Sequence, residues 1–149
     1  VQLQRVSSTP AAENGPAWTP DGRWLYFATR SNGRRMLVKV PAQGGDMVRV
    51  PTPGAINPSD PAFSPDGKML AFISQTGNFF NLSVMPVAGG APQLITAGED
   101  PSWASNSRNI IFTRRGVDKR QLAIVDVPTK QVKIITSITG SASQPDWQK

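Results

Sequence analysis

The sequence predicts an all-β protein, a β-propeller built from four-stranded blades, on three observations. A block of about 40–45 residues recurs along the 149-residue chain, and that period is typical of propeller blades. Each block contains four short apolar segments separated by turn residues. Glycine (13 residues) and proline (14 residues) are plentiful, which favours many short strands joined by tight turns over long helices.

The first block shows how the individual strands are predicted. Its strands are expected near Ala17–Trp18, Leu25–Thr29, Met36–Val40 and Val48–Val50, where apolar or β-branched residues alternate or cluster. Between the second and third strands lies Asn32-Gly33, a hairpin signal, because both residues tolerate a positive φ. The later blocks carry turn residues at the same place, namely Thr76-Gly77-Asn78 and Gly116–Asp118.

Complete blades are predicted over residues 16–51, 61–96 and 101–136 of a single propeller segment that spans 1–149. Residues 1–8 resemble the last strand of an earlier blade, and residues 143–148 resemble the first strand of a later one. Three blades cannot close a ring with the usual splay between blades. We therefore expect either a part of a larger propeller or closure with another chain, and a homodimer would supply six full blades.

Two columns of aromatic residues repeat with the blades. A large aromatic side chain at one place in every blade buries a large area against the neighbouring sheet. We interpret both columns as core between blades, and a ligand-stacking platform remains the alternative for the first. The first column is Trp18, Phe63, Trp103 and Trp147, and the second is Phe27, Phe72 and Phe112.

A Pro-Asp-Gly tripeptide follows the aromatic residue in the first two blades. Proline fixes φ at one corner of a turn, aspartate accepts a backbone hydrogen bond, and glycine supplies the left-handed residue. An acid repeated at the same place in two blades is better explained as a turn former than as a catalytic group, and Asn106 is expected to replace it in the third blade. The structural turn residues are Pro20, Asp21, Gly22, Pro65, Asp66 and Gly67.

The loops that lead into the first strand of each blade are the predicted binding region. In a propeller these loops gather around the mouth of the central channel. Their residues are polar or acidic but vary between blades, and the expected site residues are Glu13, Asn14, Ser59, Asp60, Glu99, Asp100 and Gln144. Such a rim could hold a basic group of a partner or a cation such as calcium; solvated loops without a ligand are the alternative.

Composition excludes several classes of site. The chain has no Cys and no His, so it contains no disulfide, no usual zinc site and no Ser–His or Cys–His catalytic pair. The formal net charge is +6, but the basic residues are scattered and no nucleic-acid partner is expected. No apolar run is long enough to predict a membrane span, and no cofactor is expected.

The second block, Pro61 to Thr96, carries a recognisable pattern. It reads Pro-x-aromatic-Ser-Pro-Asp-Gly, then an aliphatic-x-Phe strand, a Gly-Gly turn and a strand that ends in Thr. This pattern resembles the TolB-type propeller repeat. The first block departs from it at Val50-Pro51, and the third at Ala104–Ser107 and Pro128–Lys130.

The resemblance implies a function as well as a fold. TolB-type propellers form part of a periplasmic protein that binds the peptidoglycan-associated lipoprotein. It therefore implies a non-catalytic protein-binding scaffold, periplasmic or secreted from a bacterium, whose partner is another protein such as a cell-envelope lipoprotein. Similar repeats also form substrate-gating propellers of prolyl-oligopeptidase-like or tricorn-like peptidases, and ligand- or metal-binding sensor propellers. The chain has no Gly-x-Ser-x-Gly segment, so a peptidase centre would lie outside it.

Overall fold

The structure, a computed structural model, describes residues 13–116 and 119–138. These residues form three four-stranded antiparallel sheets, or blades, and contain strands and turns but no helix. Blade 1 consists of β1 (Glu13–Trp18), β2 (Trp24–Ser31), β3 (Arg34–Pro41) and β4 (Val48–Val50). Blade 2 consists of β5 (Ser59–Phe63), β6 (Met69–Thr76), β7 (Phe79–Pro86) and β8 (Gln93–Ala97). Blade 3 consists of β9 (Glu99–Trp103), β10 (Asn109–Gly116), β11 (Lys119–Asp126) and β12 (Gln131–Ile138).

The fold prediction is confirmed, and the strands predicted for the first block all fall within β1 to β4. Within each blade, the strands lie side by side in chain order. The hairpin between β2 and β3 turns at Asn32 (φ 53°) and Gly33 (φ 78°), the two positive values that a type I′ turn requires. The three blades do not close a ring. The predicted end strands at 1–8 and 143–148 lie outside the described residues.

The blades stack through alternate residues of their strands. Tyr26 and Leu37 of blade 1 pack with Leu70 and Phe72 of blade 2 in one buried cluster. The opposite face of blade 2 packs on blade 3 in a second cluster, because successive side chains of a strand point to opposite faces. A third buried cluster lies on the other face of blade 1 and consists of Leu25, Phe27, Val38 and Val40. The core of the described chain therefore has two layers between sheets and this third layer.

The aromatic columns occupy these layers, with one departure. In the second column, Phe72 and Phe112 are buried between blades, as predicted. Phe27 is also buried (2% exposed), in the third cluster on the other face of blade 1. In the first column, Phe63 meets Tyr26 edge to face, with ring centroids 4.7 Å apart, and Trp103 is 7% exposed. Trp18 is 41% exposed, although Leu25, its partner on β2, belongs to a buried cluster on the same face of blade 1. Trp147 lies outside the described residues.

Antiparallel pairing gives each blade two ends, which we name the bottom and top faces. The bottom face carries the turns between the first and second strands, at residues 19–22, 64–67 and 104–107. The top face carries the starts of β1, β5 and β9, the hairpin tips between the second and third strands, and the linkers between blades. Residues 51–58 link blade 1 to blade 2, whereas Gly98 alone links blade 2 to blade 3.

Candidate binding end of the blades

The turns of the bottom face share one pattern of hydrogen bonds. In blade 2, the Ser64 hydroxyl donates to Asp66 Oδ1 (2.6 Å) and accepts from the Met69 N–H (3.0 Å), while the Lys68 N–H donates to the same carboxylate oxygen (3.0 Å). Blade 1 makes equivalent bonds among Thr19, Asp21, Arg23 and Trp24. Each aspartate therefore stabilises its own turn.

Blade 3 reaches the same turn with different residues. Oδ1 of Asn106 accepts from the N–H groups of Arg108 (2.9 Å) and Asn109 (3.1 Å), so Asn106 does the work of the aspartate, as predicted. Ala104 stands where blades 1 and 2 have a hydroxyl residue, yet its N–H still donates to the Asn109 carbonyl. The turn survives loss of the acid, which supports a structural role for Asp21 and Asp66.

Electrostatics at the bottom face agree with this role. The pKa of Asp21 lies below its usual range because the Thr19 hydroxyl, and then the Arg23 N–H, donate to its carboxylate. The hydroxyl of Ser64 and the N–H of Lys68 lower the pKa of Asp66 in the same way. Both acids are exposed, but their carboxylates accept hydrogen bonds from donors within the same turn.

The bottom face also joins the blades to one another. The Trp103 Nε1–H donates to the Ala62 carbonyl of the preceding blade (2.9 Å). The Asp66 N–H donates to the Ser107 hydroxyl of the following blade (3.0 Å). These groups of the bottom face thus hold turns and blades together.

The top face gathers the predicted acidic residues of blades 2 and 3. Asp60 and Asp100 each follow the first residue of an inner strand and share a left-handed conformation with φ 53°. Aspartate is one of the few residues that adopt this conformation readily, so the bulge at each strand start also favours an acid on structural grounds. Asp60 is half-buried.

The charge state of Asp60 contrasts with that of the turn acids. Burial raises the pKa of the Asp60 carboxyl, and repulsion from Asp100 and then Glu99 raises it further, while Arg35 acts in the opposite direction. Asp60 lies near the start of β5, and Glu99 and Asp100 lie at the start of the adjacent β9. The structure therefore places the three acids at the same end of neighbouring blades.

Arginines accompany these acids, which the sequence did not predict. Arg115 Nε lies 3.5 Å from Glu99 Oε2, and Arg120 Nη1 lies 3.9 Å from Asp100 Oδ2. The Thr113 hydroxyl also donates to Asp100 Oδ2 (3.3 Å). The top face is thus a rim of both signs rather than a purely negative one. The sequence does show two adjacent basic pairs in the β10–β11 hairpin. Only the pairing of the strands, however, places Arg115 and Arg120 beside the acids.

The other predicted site residues lie in different positions. Ser59 is buried at the start of β5. Glu13 pairs with Ala28 in the position that Ser59 occupies opposite Ile73, and Asn14 follows it in β1. Gln144 lies outside the described residues. Within 13–116 and 119–138, no group of three or more acidic, His or Cys residues could hold a metal ion.

Comparison with known proteins defines the class. The chain matches the family described as the TolB beta propeller domain over residues 1–149. The protein therefore belongs to the TolB β-propeller domain family, and the resemblance inferred from the repeats is confirmed.

Solved structures show the same fold. A TolB from Acinetobacter baumannii is 19% identical, with a TM-score of 0.78 over 88% of this chain and 34% of that one. A protein described as a TolB from Agrobacterium tumefaciens is 22% identical, with a TM-score of 0.74 over 88% and 48%. The propeller of the trilobed protease from Pyrococcus furiosus, described as having an open velcro topology, is 15% identical, with a TM-score of 0.62 over 89% and 45%.

The chain spans about a third to a half of the length of these structures. Within the described part of the chain, no helix has the length and apolar character needed to cross a membrane.

Proposed function

We propose that this chain is a non-catalytic scaffold that binds another protein through its top face. The observation that carries the proposal is the contrast between the two ends of the blades. Asp21 and Asp66 of the bottom face accept hydrogen bonds within their own turns, whereas the acids of the top face stand at the starts of adjacent inner strands, where Glu99 and Asp100 lie beside arginines of the β10–β11 hairpin. Grouped charges of both signs can pair with charges of a partner and set its orientation.

The chemistry of the repeated acids supports a role without catalysis. A general acid or base needs a carboxyl whose pKa is matched to proton transfer, and the pKa values of Asp21 and Asp66 are lowered instead. Their carboxylates accept hydrogen bonds from groups within the turns. The family suggests the setting: a bacterial periplasmic or secreted protein whose partner is a cell-envelope protein such as a lipoprotein.

The test compares two pairs of variants with the same loss of charge. Asp60→Asn with Asp100→Asn removes two acids of the top face, and Asp21→Asn with Asp66→Asn removes two of the bottom face. Proteins captured from a cell-envelope extract of the source organism are identified by mass spectrometry. The captured partner is then purified and titrated by calorimetry. We expect the top-face pair to weaken binding at least tenfold, on the order of 1.4 kcal/mol.

The bottom-face pair is expected to bind normally once its lower stability is allowed for. Equal binding by wild type and the top-face pair contradicts the proposed binding face. Hydrolysis of peptide p-nitroanilides by the purified chain contradicts the non-catalytic role.

A second candidate is the substrate-gating propeller of a peptidase. It is favoured by the presence of a protease propeller among the structures with this fold, although that similarity concerns the fold alone. The coding sequence on either side of these 149 residues decides between the candidates. A Gly-x-Ser-x-Gly segment in a neighbouring hydrolase domain favours the peptidase.

The exposure of Trp18 bears on how the propeller is completed. Trp103 is covered by blade 2 and donates to its Ala62 carbonyl, while the equivalent Trp18 is 41% exposed. A further blade would cover Trp18 in the same way, supplied either by a second copy in a six-bladed ring or by a longer polypeptide. Sedimentation distinguishes these sources: a dimer has twice the 16.0 kDa mass of the chain, and a monomer at micromolar concentration contradicts the ring.

A further inference from the structure

A cavity of about 900 Å³ opens on the top face of blade 1. Its walls are the β2–β3 hairpin tip, the start of β3, the end of β4 and the linker 51–58. We propose that this cavity binds an acidic, partly apolar peptide segment of the partner protein. The proposal rests on the proposed function and names a second contact on the same face, separate from the acidic group around Asp60.

The charge of the cavity indicates the charge of its ligand. Three arginines line it, Arg34, Arg35 and Arg49, and none of its lining residues is acidic. The positive charge of Arg35 also acts on Asp60, where it partly opposes the rise in the pKa of that carboxyl. Part of the Arg35 charge is therefore offset by Asp60. Arg34 and Arg49 are both exposed. A guanidinium pairs with a carboxylate through two parallel N–H···O bonds, so these two side chains suit Glu or Asp of a peptide.

The linker wall is held in place by its own hydrogen bonds. Pro53 and Gly54 (φ 82°) occupy the corners of a turn that is closed by the Ala55 N–H donating to the Thr52 carbonyl (3.0 Å). The Ile56 carbonyl accepts from the Gln75 N–H of blade 2 (2.8 Å). A wall that is ordered before binding reduces the entropy lost when a ligand binds.

Apolar residues beside the arginines favour a peptide over a small anion. Met36 and Val50 line the cavity, and Ile56 of its linker wall is 58% exposed. A phosphate ion would leave the apolar part of this surface in water. A peptide segment that alternates acidic and apolar side chains would use both kinds of contact.

The cavity depends on the long linker of this one junction. Eight residues, 51–58, connect blade 1 to blade 2, whereas Gly98 alone connects blade 2 to blade 3. The Gly98 N–H donates to the Phe80 carbonyl (2.9 Å), and a side chain at Gly98 would overlap the ring of Phe112. The second junction therefore has no loop to form a comparable wall, and the cavity is tied to the junction between blades 1 and 2.

The test measures binding of a fluorescein-labelled peptide of alternating Glu and Leu residues by fluorescence anisotropy, using the whole 149-residue chain. Arg34→Gln with Arg49→Gln removes the proposed contacts. Arg23→Gln with Lys68→Gln is the matched control, because it removes the same charge from exposed residues of the bottom face. We expect the first pair to weaken binding about tenfold or more. We expect the control to change it less than about twofold, since distant surface charges are screened by salt.

Several outcomes overturn the proposal. The first is that wild type does not bind the Glu–Leu peptide, and the second is that both variant pairs lose the same affinity for it. The third is that wild type binds a Gln–Leu peptide equally well. The fourth is that inorganic phosphate displaces the Glu–Leu peptide at an affinity that shows a simple anion site. The calorimetric test with Asp60 and Asp100 stands apart from this one. If the peptide binds at the cavity but Asp60→Asn with Asp100→Asn does not weaken partner binding, only the acidic contact is refuted. If the acid pair weakens partner binding but the peptide does not bind at the cavity, only the cavity is refuted.

Discussion

The two ends of the same blades are built from different chemistry. At the bottom face, three turns repeat one arrangement, and Asp66 has a lowered pKa because hydrogen bonds within the turn satisfy its carboxylate. At the top face, equivalent positions hold different residues, Ser59 in blade 2 and Glu99 in blade 3, and burial raises the pKa of Asp60. Repetition thus marks residues that every blade needs for its turn, whereas the residues at the top face vary between blades and include the proposed contacts with a partner.

The largest expected effect on stability is at the inner strand beside the bottom turn. Trp103→Ala removes a buried ring and its hydrogen bond to the Ala62 carbonyl, and should lower the free energy of unfolding by about 3–5 kcal/mol. Trp18→Ala removes a ring that is 41% exposed, and should cost about 1 kcal/mol or less. Urea denaturation followed by circular dichroism measures both.

Trp103→Phe sharpens the same comparison, because it keeps an aromatic ring, as Phe63 does naturally in blade 2, but loses the indole N–H. An intermediate loss is expected. If Trp18→Ala and Trp103→Ala lose similar amounts of unfolding free energy, the two rings contribute equally to stability. That result would contradict the interpretation that Trp18 lacks the packing that covers Trp103.

A smaller effect is expected within a bottom turn. Ser64 is fully buried and bonds both Asp66 and the Met69 N–H. Ser64→Ala should lower the free energy of unfolding by about 1 kcal/mol, measured by urea denaturation. Blade 3 carries Ala104 at this place, so Ala104→Ser is the reciprocal variant and should be neutral or slightly stabilising. If the Ser64→Ala protein is as stable as wild type, the hydrogen bonds of the Ser64 hydroxyl do not contribute to stability.

The fold could be predicted from the sequence because its causes are local and repeated. Asn32-Gly33 fixes a two-residue hairpin, and Pro-Asp-Gly fixes a turn, whatever surrounds them. Phe72 and its equivalents return at the blade period, so their burial follows from the repeat alone. The exposure of Trp18 follows from the place of blade 1 at the end of the row and not from the repeat, because the sequence around Trp18 matches that of a covered residue.

The smallest expected effect concerns the acids themselves. Asp60 has a raised pKa in the folded protein, so its contribution to stability is present below the unfolded pKa and is lost as pH rises through the folded value. Asp60→Asn should therefore raise the melting temperature at pH 7, by a few degrees at most, and the gain should vanish near pH 3. Asparagine also tolerates the left-handed backbone at this residue.

Asp66→Asn provides the opposite case. Its lowered pKa means that the stability it contributes is present above the unfolded pKa and is lost as pH falls through the folded value. The melting temperature of this variant should lie below that of wild type at pH 7 and approach it in acid. Thermal melts of both variants from pH 3 to pH 7 measure the two signs, and shifts of the same sign would contradict the distinction between the two ends.

The candidate site was only partly predictable. The loops of Asp60, Glu99 and Asp100 could be found because their positions follow from the blade period. The arginines beside them, Arg115 and Arg120, are distant in sequence and reach the acids only through strand pairing. The cavity beside the linker 51–58 depends on a loop length and on bonds such as that between Gln75 and Ile56, which no local pattern encodes.

We propose that the top face binds the partner protein and that the bottom face stabilises the fold. Hydrogen exchange with mass spectrometry, on the chain with and without its purified partner, tests this claim most directly. The account predicts slower exchange on binding in peptides that cover residues 54–60 and 97–101, with no change in peptides that cover 19–23 and 64–68. Protection confined to the bottom turns, with the top face unchanged, would contradict it.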